Sequence, residues 1–176
     1  MKTTAVTPVV LGLLALGARS GYDIKSAVDR STRFFWAASY GQIYPELRRL
    51  EAEGLIRGEH SPTGGRSRRV YEITDAGRQA LEQWLVGPTT TIEYRDESLL
   101  RLFFADALPL EQALGLLEAR KRGHEEYLEV LRAIDARPGE DPPFVDLVLR
   151  WGIDFNEWGR DWCEQQLQRL RLQKAS

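Results

Sequence analysis

Few side chains in this 176-residue chain could carry out a reaction. One cysteine, Cys163, and two histidines, His60 and His124, are too few for a disulfide framework or a Cys/His metal centre, so neither metal nor cofactor is expected. Thr63-Gly64-Gly65-Arg66 lacks the Lys-Ser/Thr pair that a phosphate-binding loop needs. Carboxylates are plentiful, but no spacing marks a catalytic pair and no nucleophile stands beside a base, so an enzyme is not expected. The chemistry that remains is charge and hydrogen bonding. Arg48 and Arg49, then Arg66, Arg68 and Arg69, lie near Ser39, Gln42 and Tyr44 in sequence. Guanidinium groups pair with phosphates and guanine edges, and carboxamides with adenine, so double-stranded DNA is the partner this set would suit.

The charge distribution points the same way. Residues 1–78 hold 12 Lys/Arg against 8 Asp/Glu, whereas residues 79–176 hold 12 against 18, within a net charge of −2. A basic half joined to an acidic half suits local contact with a polyanion rather than general coating of it. No apolar run approaches the roughly 18 residues of a membrane span, so no membrane contact is expected and the expected location is the cytoplasm. Lys2 and the stretch Val9-Val10-Leu11-Gly12-Leu13-Leu14-Ala15-Leu16 imitate a secretory leader. The single cation and Pro8 instead favour a buried first helix over residues 8–16, with Pro8 near its first position.

Positioning the arginines requires a rigid frame. After the turn Gly17-Ala18-Arg19-Ser20-Gly21, helical spacing places Tyr22, Ile24, Ala27 and Val28 on a second helix, with Tyr22 and Trp36 expected in the core. Ser39 and Gln42 have the form of a capping box, and Ile43, Leu47 and Leu50 give the next helix one buried stripe ended by Gly54. Gly41, Pro45, Arg48 and Ala52 then project outward, flanked by Gln42, Tyr44 and Arg49. Pro45 predicts a kink or a later helix start. Residues 55–59 and 69–73 read as a hairpin with a turn at Ser61-Pro62-Thr63-Gly64-Gly65 and a cationic tip. Thr74-Asp75 caps a helix with Ala76, Ala80, Leu81, Trp84 and Leu85 on its apolar side, stopped by Gly87-Pro88. This order predicts a winged helix-turn-helix domain over residues 1–86, in which Ser39, Gln42, Tyr44, Arg48 and Arg49 face DNA and Arg66, Arg68 and Arg69 form the wing.

Residues 87–176 predict a helical domain, giving a mainly α fold with a small β-hairpin. Residues 89–97 read as a linker or lead-in, and Leu99, Leu100, Leu102, Phe103 and Phe104 as a buried helix. A helix from Pro109 carries Leu110, Leu114, Leu117, Lys121, His124, Leu128 and Leu131 at heptad spacing, with Lys121 and His124 setting register or lying at the rim. Beyond the break at residues 137–143, the last helix carries Phe144, Val148, Trp151, Phe155, Trp158 and Trp162 along one face. These faces exceed what a helical half of about 90 residues can bury on itself, so an antiparallel helical dimerisation domain and a homodimer are expected. Trp151, Trp158 and Trp162 read first as packing and second as the walls of a dimer-centre cavity for a flat aromatic effector. Cys163 reads as a buried, inert thiol.

Three blocks carry a family resemblance. Ser20-Gly21-Tyr22-Asp23-Ile24, the run from Gly41-Gln42-Ile43-Tyr44-Pro45-Glu46-Leu47 through Arg48-Arg49-Leu50-Glu51-Ala52-Glu53-Gly54-Leu55, and Tyr71-Glu72-Ile73-Thr74-Asp75-Ala76-Gly77 resemble the PadR-like transcriptional regulators. The second half resembles that family's longer, Vir-type C-terminal domain, and only residues 86–95 and 136–143 fall outside the likeness. The resemblance implies a bacterial, dimeric repressor that binds operator DNA and responds to a small aromatic or amphipathic molecule or to stress. The alternative is a winged-helix protein-interaction module that does not bind DNA, which would have no need of an arginine wing.

Overall fold

The computed structural model describes residues 4–63, 66–88, 95–136 and 142–175, with backbone alone for residues 34, 61–63, 66–68 and 174–175. Residues 89–94 of the expected linker at 89–97, residues 137–141 of the expected break at 137–143 and Gly64-Gly65 of the hairpin tip lie outside the described residues. The chain divides into two compact units, Met1–Thr91 and Ile92–Ser176.

The first unit contains α1 (Thr7–Ala15), α2 (Gly21–Arg30), a 3-10 turn at Thr32–Phe34, α3 (Tyr40–Ala52), β1 (Ile56–Thr63), β2 (Arg66–Ile73) and α4 (Asp75–Leu85). Pro8 sits in the first turn of α1, where its missing N–H costs nothing. The Ser20 side chain accepts from Asp23 N at 3.1 Å to cap α2. Ile24 and Val28 of α2 and Ile43, Leu47 and Leu50 of α3 are fully buried. Each such side chain contributes about 1.5–3 kcal/mol by leaving water.

Helix α3 starts at Tyr40 and runs through Pro45, so the later start that the proline predicted does not occur. The carbonyl deprived of its partner is that of Gly41, an exposed residue, and water can satisfy it. At the other end Gly54 takes φ 72°, Gly54 N donates to Glu51 O at 3.0 Å and Leu55 N to Leu50 O at 2.9 Å. This pairing closes the helix and turns the chain into β1. The hairpin is longer than the alternation predicted. Its antiparallel register runs from Ile56↔Ile73 to Thr63↔Arg66, so Ser61-Pro62-Thr63 belong to the strand rather than the turn. Tyr71 N donates to Arg19 O at 2.8 Å, which ties β2 to the start of α2. Tyr22 is 64% exposed and Trp36 lies at the surface with its indole donating to Ala5 O at 2.8 Å, so neither is the core residue expected. Of the apolar side chains expected on α4, Ala80 and Leu81 pack against the core, while Trp84 and Leu85 remain exposed.

The second unit contains α5 (Glu97–Phe103), a 3-10 turn at Ala105–Ala107, α6 (Leu110–Asp135) and α7 (Pro143–Ala175). The Asp96 side chain caps α5 through Leu99 N at 3.1 Å and binds Arg120 of α6 at 2.7 Å. Burial alone would raise this carboxyl, but the hydrogen bonds from Ser98, Arg120 and Leu99 N outweigh it and hold Asp96 well below the usual carboxylate range. The heptad seam of α6 is consumed within the unit: Leu114, Leu117, His124, Leu128 and Leu131 are buried. Helix α7 meets it through Gly152, Asn156, Gly159, Cys163 and Leu167, with Phe155 edge-on to His124 and Trp162 against the same cluster, while Trp151 and Trp158 stay exposed. Small residues win this position because a Cβ at Gly159 would lie 2.5 Å from the His124 ring and one at Gly152 would lie 3.3 Å from Leu131. His124 Nδ1 lies 2.9 Å from Asn156 Oδ1, whose amide nitrogen donates to Gly152 O at 2.8 Å. Orientation of that amide makes Nδ1 the donor, so His124 serves the helix contact. The expected burial of α5 is also corrected: Phe103 is 78% exposed, with Leu100 and Phe104 at the surface, and Leu102 alone of its apolar residues packs into the core cluster.

Candidate nucleic-acid interface

The stripe of α3 opposite its buried side is formed by Tyr40, Tyr44, Arg48 and Ala52 at four-residue spacing, with Gly41 and Pro45 beside it, all exposed. No carboxylate lies in this stripe. The two acids of α3 and Glu53 at its C-cap are each held elsewhere. Glu46 and Glu53 bind Arg49 at 2.6 and 2.5 Å, and Glu51 binds Arg69 at 2.6 Å. Arg48 makes no ion pair among the described residues, so its guanidinium is the uncompensated charge on the face. A helix with small residues at 41, 45 and 52 and one unpaired arginine fits a major groove about 12 Å wide.

Ser39 and Gln42 form the expected cap: Gln42 Oε1 accepts from Ser39 N at 2.9 Å and from the Ser39 hydroxyl at 3.0 Å. Because the cap requires an acceptor, the carboxamide oxygen faces inward and Gln42 offers its Nε2 donor to a ligand. Tyr44 stacks on Tyr40 at 6.1 Å, and Lys25 Nζ lies 5.6 Å from the Tyr40 ring centre. The Tyr44 ring rests on Gly21 so closely that a Cβ there would approach Cε1 to 2.7 Å, which is the physical need for glycine at the start of α2.

Arg49 departs from expectation. Its guanidinium turns inward, with Nε and Nη2 donating to Glu46 at 3.1 and 2.6 Å, Nη1 to Glu53 at 2.5 Å and Nη2 to Thr7 Oγ1 at 3.0 Å. Hydrogen bonding to Glu46 raises the Arg49 pKa further against the cost of burial. Glu46 itself is only 5% exposed. Burial pushes its carboxyl up, but hydrogen bonds from Arg49 and Thr7 more than offset this and hold it below the usual range. Sequence reading missed Glu46 because a glutamate three residues before an arginine usually marks a solvated helix face.

On the hairpin, Arg69 spans from β2 to Glu51 of α3 and lies 5.8 Å from the Tyr71 ring. A Cβ at Gly58 would come within 2.6 Å of Glu51 and 2.8 Å of Arg69, so that glycine leaves room for the crossing. Arg69 therefore joins the hairpin to the helix rather than standing alone as a wing charge. The side chains of Arg66 and Arg68 lie outside the described residues.

In the second unit, Trp151 stacks on Phe155 at 5.3 Å and 8°, and Phe155 continues through Trp158 to Trp162 at 6.3 and 6.5 Å spacings. Trp151 and Trp158 are 61% and 62% exposed, whereas Trp162 packs against the core of Leu114, Leu117, Cys163 and Leu167. A separate pocket of about 210 Å³ on α6 and α7 is lined by paired charges such as Lys121 and Glu164 and by none of the three tryptophans. Among the described residues no His, Cys, Asp and Glu side chains converge as a metal site, and no helix is long and apolar enough to cross a membrane.

A helix-turn-helix with an adjoining hairpin, followed by long helices, defines a winged-helix regulator. Residues 10–83 match the transcriptional regulator PadR-like family and residues 94–171 match the virulence activator alpha C-terminal family. The negative transcriptional regulator PadR of Bacillus subtilis is 34% identical over 125 residues, 70% of this chain and 69% of that one. A probable transcriptional regulator of Mycobacterium tuberculosis, Rv1176c, is 30% identical over 95% of this chain and 98% of its own. The crystal structure of B. subtilis PadR in complex with operator DNA matches with a TM-score of 0.84 at 29% identity, covering 95% of this chain and 99% of that chain. The same protein in complex with p-coumaric acid matches with a TM-score of 0.76 at 28% identity over 96% and 99% of the two chains. The chain belongs to the PadR family of transcriptional regulators.

Proposed function

We propose that this chain is a dimeric repressor that binds a two-fold operator through α3 and the hairpin. The observation that carries the reading is the acid-free stripe of α3 with Arg48 unpaired, since every glutamate of that helix is held by an arginine off the stripe. Residues 1–86 supply the DNA-binding domain and residues 87–176 the dimerisation domain. Arg48 and the Gln42 amide read base edges, Tyr44 and the Arg66 and Arg68 charges hold phosphates, and Ser39 fixes Gln42. Arg49 and Arg69 serve the frame. The action is binding rather than catalysis, in the compartment that holds the chromosome.

Dimerisation is supported by α7, whose Phe144, Leu147, Val148, Trp151 and Trp158 remain exposed once α6 has been covered. Such a surface on a folded chain marks an association face. Repression is supported by the name of the B. subtilis relative, a negative regulator. The stacked Trp151–Phe155 pair suits a planar aromatic effector, and p-coumaric acid, found bound to that relative, is of this class. Release then requires the effector to favour a dimer geometry with another half-site spacing.

In vitro selection from a randomised duplex pool tests the reading. The expected product is a palindrome whose half-sites lie one turn, about 34 Å, or a multiple apart. Enrichment of no sequence would overturn it.

A further inference from the structure

We infer that Thr7 and Glu46 form a rotational lock that sets the angle at which α3 presents Tyr44 and Arg48. The inference rests on the reading that α3 enters DNA. Glu46 lies two residues, about 200° of helix rotation, from both Tyr44 and Arg48, and so on the back of the helix they face out from. There its Oε1 accepts the Thr7 hydroxyl proton at 2.5 Å. That hydroxyl also accepts from Thr4 N at 2.9 Å and from Arg49 Nη2 at 3.0 Å, and the Thr4 hydroxyl lies 3.1 Å from it. Thr7 opens α1 and is almost fully buried, so the contact joins the first turn of α1 to the middle of α3.

The apolar stripe cannot set this angle alone. Burial of Ile43, Leu47 and Leu50 is non-directional, and a modest rotation of α3 would keep all three covered. A rotation of about 20° moves a side-chain tip about 6 Å from the axis by about 2 Å. Such a shift breaks a hydrogen bond to a base edge. A hydroxyl donor, a carboxylate and a guanidinium fork hold direction where methyl groups do not. Thr7 and Glu46 are therefore positioning residues for recognition.

The test replaces Thr7 by valine, which keeps shape and volume and loses the hydroxyl, and by serine, which keeps it. Each protein is titrated on a duplex selected by the wild-type protein and on a scrambled duplex, below its measured melting temperature. Thr7→Val should weaken the selected duplex by about tenfold, the size of one lost hydrogen bond to a charged group, and leave the scrambled duplex unchanged. Thr7→Ser should stay within about twofold of wild type. Should Thr7→Val fail to fold, Glu46→Met with Arg49→Met removes the same lock without changing net charge and should lose the same preference. Folded valine or double-methionine variants that keep the wild-type preference, or a serine variant as weak as valine, would overturn the lock while leaving the DNA-binding reading intact. A wild-type protein that selects no sequence would overturn both.

Discussion

Replacing Gly21 by alanine separates the surface of the first unit from its core. The added methyl would lie 2.7 Å from Tyr44 Cε1, 2.8 Å from Cζ and 3.1 Å from the hydroxyl oxygen. A relaxed carbon–carbon contact is about 3.5–4.0 Å, so the ring must retreat by about 1 Å. It can do so because it lies half-exposed against Tyr40 and outside the apolar core. Gly21 is the first residue of α2, where alanine is tolerated, so the melting temperature should hold. The displaced hydroxyl should lose the phosphate contact proposed for it, a bond worth about 1.5–3 kcal/mol when the acceptor is charged, so DNA affinity should fall by about tenfold or more. Because phosphates carry no sequence information, the loss should be equal on selected and scrambled duplexes. Fluorescence anisotropy on both duplexes, with Tyr44→Phe and the double variant completing a cycle, measures this. The double variant should be no weaker than Tyr44→Phe alone. Unchanged affinity would remove Tyr44 from the DNA surface, and a melting temperature lowered by more than about 5 °C would show that the ring cannot yield and that the strain enters the helices.

Gly77→Ala should act on stability instead, because its methyl would lie 2.1 Å from the Leu55 carbonyl oxygen and 2.9 Å from Ile73 Cγ1. A cost of about 2 kcal/mol should lower the melting temperature of the first unit by about 10 °C in calorimetry. Asp96 has a folded pKa below its unfolded value, so its contribution is full above about pH 4 and is lost as the pH falls toward the folded value. Asp96→Asn should therefore melt lower than wild type at pH 6 and lose less on acidification, followed by circular dichroism. Burial pushes the Cys163 thiol up, so iodoacetamide labelling followed by mass spectrometry should be far slower in the native than in the unfolded protein. Equal rates would contradict its burial.

The frame of the first unit was legible because local chemistry and tertiary packing agree there. The capping residues Ser39 and Gln42, the stripe Ile43, Leu47 and Leu50, and the turn residue Gly54 all specify the same helix. Arg48 could be recognised as outward-facing for the same reason. Arg49 could not be told from it, because its partners Glu46 and Glu53 read as ordinary surface pairs, and the contact that holds Glu46 inside comes from Thr7, 39 residues away, with no periodic trace. Glu46 was illegible on the same ground. In the second unit the aromatic periodicity of α7 was legible, but the contact that joins α7 to α6 was not. Gly152 and Gly159 let α6 approach a different face, and close approach by small residues gives no hydrophobic signal. The exposure of Phe103 shows the reverse limit, since an apolar pattern marks what tends to be covered without saying by which chain.

The central claim is that α3 reads bases while the wing holds phosphates. Titration of Arg48→Ala and Arg66→Ala on selected and scrambled duplexes at two salt concentrations tests it most directly. Arg48→Ala should cost about 1–3 kcal/mol on the selected duplex and much less on the scrambled one. Arg66→Ala should weaken both alike and reduce the salt slope by about one. Loss of sequence preference in Arg66→Ala with only a general loss in Arg48→Ala would reverse the assignment, and unchanged binding in both variants would contradict it outright.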